Sequence, residues 1–164
     1  MKIFSKDKAL ARLSLSNPIH FLALGFGSGM MAKAPGTFGT LAAIPIYLLM
    51  APLSIEWYLG LTLLSVILGF YICHVAAKDM GVHDHGAIVW DELAGLLITM
   101  IAAPEGWVWI VIGFTLFRFF DILKPWPIRW LDAKVKGGFG IMIDDVLAGL
   151  FSLACLQGLA YYFA

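Results

Sequence analysis

The chain has 164 residues, 61% of them hydrophobic and only 13% charged, with a formal net charge of +0. Soluble domains are about 45–50% apolar and about 25% charged, so this composition excludes a disordered chain and argues against a water-soluble globule. A mean hydropathy of +0.88 points to a polytopic membrane protein, and the zero net charge leaves no basic field for nucleic acid. The two cysteines, Cys73 and Cys155, lie in apolar runs and offer neither a disulfide framework nor a CxxC metal pattern.

Residues 1–12 carry Lys2, Lys6, Lys8 and Arg12 against Asp7. The following stretch, Leu13–Ala32, is broken by Pro18, His20 and glycines, so it does not read as a signal peptide. Leu10, Leu13 and Leu15 beside those cations predict a short helix lying on the inner membrane surface. We read 1–164 as a single membrane domain, with 1–32 as an N-terminal interfacial segment and 33–164 as the helical core.

The fold class expected is all-α, with about five transmembrane helices. Ala34–Ile55 is uncharged, and its part from Thr40 to Leu53 is a short spanning candidate kinked at Pro45. Four spans result if this first run is re-entrant. Trp57–Ala77 is the clearest span, and Val146–Ala164 is the last. Between them, Ala103-Pro104-Glu105-Gly106 marks a turn, predicting a helical hairpin at 87–124 with arms 87–103 and 106–124. An arm of about 17 residues covers about 25 Å, enough to span with its ends in the headgroups. With the N-terminus inside, all 11 Lys and Arg residues fall on or near the inner side, while the outer turns hold only Glu56 and Glu105. That partition follows the positive-inside rule and makes 78–86 and 125–144 cytoplasmic.

Carboxylates in apolar helices are costly and face a protein interior or a wet cavity. Here Asp91 and Glu92 open the hairpin, Asp121 closes it, Asp144 and Asp145 precede the last span, and Asp84 sits between His83 and His85. All fall at one membrane face. Like charges gathered near lipid call for a cation, and oxygen ligands without cysteine select a hard one, best Mg²⁺. Glu92, Asp121 and Asp145, from three helix ends, are the expected ligands. The plainer alternatives are a helix cap for one of Asp144 and Asp145, with Asp144 the more cap-like, and an i,i+3 ion pair for Arg118 and Asp121. His83 and His85 are of a type that ligates zinc or iron, but His-Asp-His alone is a weak signal and a loop role is the better fit.

Lys33-Ala-Pro-Gly-Thr-Phe-Gly-Thr40 reads as a phosphate cradle. Gly36 and Gly39 let backbone amides converge, Thr37 and Thr40 can cap the helix that follows, and Lys33 adds charge. It is not a Walker A motif. Lys124-Pro-Trp-Pro-Ile-Arg129 would sit at the interface, where Arg118, Lys124 and Arg129 suit a lipid phosphate. Acids for a metal beside cations for phosphate describe phosphoryl-transfer or phosphatase chemistry. No Cys-x5-Arg, Asp-x-Asp or Ser-Gly-His element is present, leaving metal-assisted attack by water or by a carboxylate.

At these residues the chain closely resembles the phosphatidylglycerophosphatase A family of bacterial lipid phosphatases. The matching elements are Lys33–Thr40, His83–Glu92, Phe117–Arg129 and Gly140–Gly149, in the family's order. The resemblance implies a Mg²⁺-dependent multi-pass inner-membrane enzyme that removes the terminal phosphate of phosphatidylglycerophosphate. Its partners would be the bilayer and its phospholipid substrate, with no nucleic acid and no protein partner specified. Two other readings remain open from the residues: a phosphotransferase acting on a lipid phosphate, and a small ion transporter using the embedded acids.

Overall fold

A computed structural model describes residues 7–82 and 85–163. Among these residues seven α-helices follow one another: α1 Pro18–Ala23, α2 Pro35–Met50, α3 Ile55–Met80, α4 Trp90–Thr99, α5 Trp107–Leu123, α6 Ile128–Lys134 and α7 Gly137–Phe163. Short 3₁₀ turns cover Leu10–Arg12 and Gly25–Met30, and no β-strand occurs among the described residues. The expected all-helical class holds.

The helix ends differ from the sequence expectation in ways that matter. Helix α2 starts at Pro35, not Thr40, after Ala34 in the left-handed region, and it runs through Pro45 to Met50. No side chain caps it, so Thr37 and Thr40 are not its caps. Helix α7 starts at Gly137, well before Val146, which moves Asp144 and Asp145 from a loop into the body of a helix. The arm expected over 87–103 is helical only across Trp90–Thr99, about 15 Å at 1.5 Å per residue and half of a hydrocarbon core.

That short helix is the centre of the bundle. Every residue of α4 except Asp91 and Glu92 is buried, among α2, α3, α5 and α7. A helix apolar on all sides belongs inside protein, and here neighbouring helices, not lipid, cover it. Two anchors fix it to α3. Tyr58 donates its hydroxyl hydrogen to the Leu97 carbonyl at 2.8 Å, and the Trp90 indole donates to the Ser65 carbonyl at 3.0 Å.

Among the described residues, α3 and α7 are long and apolar enough, by length and composition, to cross a membrane; α2 is a shorter apolar helix. Five spans are therefore not what the helix lengths display. The outward side of α3 carries Trp57, Leu61, Leu64, Ile67, Leu68 and Tyr71, all exposed, an apolar surface unlike that of soluble monomers.

The N-terminal segment is not a helix lying free on a surface. Leu10, Leu13, Ala23 and Leu24 are buried in the common core. Arg12 donates to the Met80 carbonyl at 3.0 Å. His20 accepts the Ser14 amide at Nδ1 and meets Asp79 at 2.8 Å through Nε2, tying the segment to the end of α3. At the other end of the bundle, the turns after α2 and α4 border a cavity of about 630 Å³ lined by Tyr47, Tyr58, Met100 and Glu105 among others. It opens where α4 stops short, at the opposite end from Asp91, Glu92, Asp121, Asp144 and Asp145.

Candidate active site

Helix direction decides which sequence elements meet. The N-termini of α2 and α4, the C-terminus of α5 and the first turns of α7 share one end of the bundle. Glu92 at the start of α4 reaches the first turn of α2, where its carboxylate fills the space a Gly36 side chain would occupy. Gly39 likewise gives its space to Val89. The two glycines therefore serve close helix packing; the expected phosphate cradle at the α2 N-terminus holds a carboxylate instead. Thr40, fully buried, donates to the Gly36 carbonyl at 3.0 Å and reaches Glu92 Oε2 at 3.3 Å.

Arg118 of α5 binds both acids beside it. Its Nη1 lies 3.0 Å from Glu92 Oε2 and 2.7 Å from Asp121 Oδ2. The i,i+3 pair is present, and Glu92 from another helix joins it. Among the described residues, no three Asp, Glu, His or Cys side chains form a ready-made metal cage. Glu92, Asp121 and Asp145 thus do not converge as three ligands around one point; a guanidinium links the first two.

Lys124 closes a second group. It stands in the left-handed region at the end of α5, with Nζ 2.6 Å from Asp144 and 3.1 Å from Asp132. Asp144 is therefore an ion-pair partner in the eighth position of α7 and not a cap. Asp132 was not singled out from sequence. It stands eight residues beyond Lys124, in α6, and the turn between α5 and α6 lets the two meet. Nothing in local spacing signals that contact.

The two groups form one electrostatic cluster. Asp91 interacts with Glu92, Asp144 and Asp121, and buried Asp145 with Asp121, Asp91, Asp144 and Glu92. Three buried polar atoms in it have no hydrogen-bond partner: Asp91 Oδ1, Asp144 Oδ1 and Arg118 Nε. Buried polar atoms are paired in nearly all cases, so two open acceptors and one open donor in a single cluster mark a place built for something else. Lys33 and Arg129 are exposed at the rim, and Thr37 is half-buried in α2. Asp84 and His83 lie outside the described residues, while His85 pairs with Asp7 at 2.8 Å.

Open carboxylate oxygens beside an arginine with a free donor are the kinds of group that pair with a hard cation and with a phosphate. A family model described as phosphatidylglycerophosphatase A matches residues 21–160. Phosphatidylglycerophosphatase A of Escherichia coli is 52% identical over 158 residues, covering 96% of this chain and 92% of that protein. The protein of the same name from Haemophilus influenzae is 49% identical, over 96% of this chain and 98% of its own. A relative from Bacteroides thetaiotaomicron with the provisional name phosphatidylinositol-3-phosphatase is 39% identical, over 80% of this chain and 86% of its own. No solved structure matches. The chain belongs to the phosphatidylglycerophosphatase A family, and it is an enzyme, a phosphatase.

Proposed function

We propose that this phosphatase hydrolyses the terminal phosphomonoester of phosphatidylglycerophosphate, giving phosphatidylglycerol and phosphate, with Mg²⁺ as cofactor. We place it as a multi-pass protein of the bacterial inner membrane, its acidic end at the cytoplasmic face. The relatives' names supply the substrate. The observation that carries the chemistry is the set of buried, unpartnered atoms: Arg118 Nε as donor, Asp91 Oδ1 and Asp144 Oδ1 as acceptors. The orientation follows from the basic residues, which lie on or near the side of the acidic cluster, with only Glu56 and Glu105 in the opposite turns.

The residues present fit Mg²⁺. Its ligands are hard oxygens, the cluster offers carboxylates and no thiol, and two of their oxygens are open. Mg²⁺ is commonly held by one or two carboxylates together with waters and substrate phosphate, so a full protein cage is not required. Asp91, with Glu92, Asp121 or Asp145 beside it, would hold the ion. When bound, it would neutralise phosphate charge and lower the barrier to attack by water. Arg118, already oriented by Glu92 and Asp121, presents Nε to a phosphate oxygen. Lys33, exposed beside α2, meets the phosphate as it enters. The open Asp144 oxygen accepts the proton of the attacking water. The water oxygen bonds to phosphorus as the phosphorus–oxygen bond to glycerol breaks, and the leaving oxygen takes up the proton that the carboxylate accepted.

The test is phosphate release by the purified full-length protein in detergent, with phosphatidylglycerophosphate and with phosphatidylinositol-3-phosphate. Mg²⁺-dependent release from the first, abolished by chelation and restored by Mg²⁺, is the expected result. Undiminished turnover in excess chelator would remove the metal, and preference for the inositol lipid would remove the substrate assignment.

A further inference from the structure

Thr40 is fully buried, so its hydroxyl must find partners inside the protein. Four described hydroxyls bond the carbonyl one turn back: Thr40 to Gly36, Thr99 to Gly95, Thr115 to Val111 and Ser152 to Ala148. Back-bonding of this kind satisfies a hydroxyl without any further role. Of these four, Thr40 is the one that reaches a second partner, the carboxylate of Glu92, 52 residues away. The same carboxylate lies against Gly36, where any side chain would displace it, and Arg118 holds it from α5.

We infer that Thr40 is a positioning residue for Glu92, holding its carboxylate between α2 and Arg118, with Oε2 toward the hydroxyl and the guanidinium and Oε1 against Gly36. Both contacts converge on Oε2: the hydroxyl at 3.3 Å and the guanidinium at 3.0 Å. The single hydrogen of the hydroxyl is shared between the Gly36 carbonyl at 3.0 Å and Oε2 at 3.3 Å, so turning the carboxylate away from Arg118 also gives up its contact with Thr40. Gly36 makes the arrangement possible, because only a residue without a side chain lets the carboxylate approach the α2 backbone. The phosphate-cradle residues Gly36 and Thr40 thus act on an acid and do not touch phosphate. This role rests on the phosphatase chemistry proposed above, with Glu92 as a residue of the reaction centre.

The experiment uses the full-length protein in detergent, with Thr40→Val, which keeps the volume and removes the hydroxyl, and Thr40→Ser, which keeps the hydroxyl. Thermal unfolding and gel filtration confirm that each variant folds. Two readouts are taken: kcat and KM for phosphatidylglycerophosphate, and Mn²⁺ affinity by electron paramagnetic resonance titration. Loss of a hydrogen bond to a charged group predicts that Thr40→Val lowers kcat about tenfold at nearly constant KM and weakens Mn²⁺ binding by a similar factor. Thr40→Ser should stay within about threefold of wild type by the same reasoning. In a Glu92→Gln background, Thr40→Val should not weaken Mn²⁺ binding further. Thr40→Val indistinguishable from wild type, Thr40→Ser as damaging as Thr40→Val, or an undiminished Thr40→Val effect in the Glu92→Gln background would each overturn the assignment. A wild-type protein that neither hydrolyses the lipid nor binds Mn²⁺ would instead overturn the proposed function, and this role with it.

Discussion

Arg118→Ala removes the guanidinium that lies between Glu92 and Asp121, at 3.0 and 2.7 Å, where all three side chains are at most 15% exposed. Two carboxylates from different helices would then face each other without a counter-ion. Removing one partner of a buried pair costs about 3–5 kcal/mol. A single charge pair at about 4 Å, in surroundings with an effective dielectric near 20, is worth about 4 kcal/mol, the same size. The residual exposure favours the lower end, about 3 kcal/mol, which a protein stable by about 5–15 kcal/mol survives. Arg118→Ala should therefore fold but unfold at a clearly lower temperature. Its kcat/KM should fall more than tenfold, about 1.4 kcal/mol, because the phosphate also loses the Nε donor. Adding Asp121→Asn removes one of the facing charges and should restore part of the stability without restoring activity. Thermal unfolding in detergent and phosphate release measure the two effects separately. If Arg118→Ala melts with wild type and keeps activity within about twofold, the guanidinium is neither the counter-ion nor the phosphate donor.

Lys33→Ala should raise KM or lower kcat by more than about tenfold, whereas Lys134→Ala and Lys136→Ala should change either little; equal effects at all three would indicate a diffuse surface field. With Cys73 and Cys155 replaced, single cysteines at Glu56 and Glu105 should label from outside the cell and one at Arg129 should not; outside labelling at 129 would reverse the orientation. The hydrogen bond from His85 holds the Asp7 carboxyl below its usual value of 3.8, so its contribution is present at neutral pH and lost as pH falls through that lowered value. Amide exchange around residues 7–16 should therefore rise only in strong acid, and Asp7→Asn should raise it already at neutral pH.

Composition and charge spacing pointed to an all-helical, apolar chain with its helix-embedded acids at one end and only Glu56 and Glu105 at the other. Those properties are written residue by residue: hydrophobic runs need burial or lipid, and embedded carboxylates need partners. Trp57–Ala77 appears within α3, and the turn at 103–106 separates α4 from α5, because long apolar runs and Pro-Gly breaks act locally. What lay beyond the sequence was decided by packing between distant segments. The arm at 87–103 shortened to the ten residues of α4 because its apolar surface is covered on all sides by other helices, which a linear pattern cannot distinguish from lipid. Asp144 became the partner of Lys124, and Asp132 joined it, because the turn after α5 packs α6 on α7 and brings Asp132 to Lys124. Gly36 and Gly39 carried a real signal of close approach, but only the tertiary structure shows that what approaches is Glu92 and Val89. Residue types fix which groups must be neutralised; helix direction and packing fix which group neutralises which.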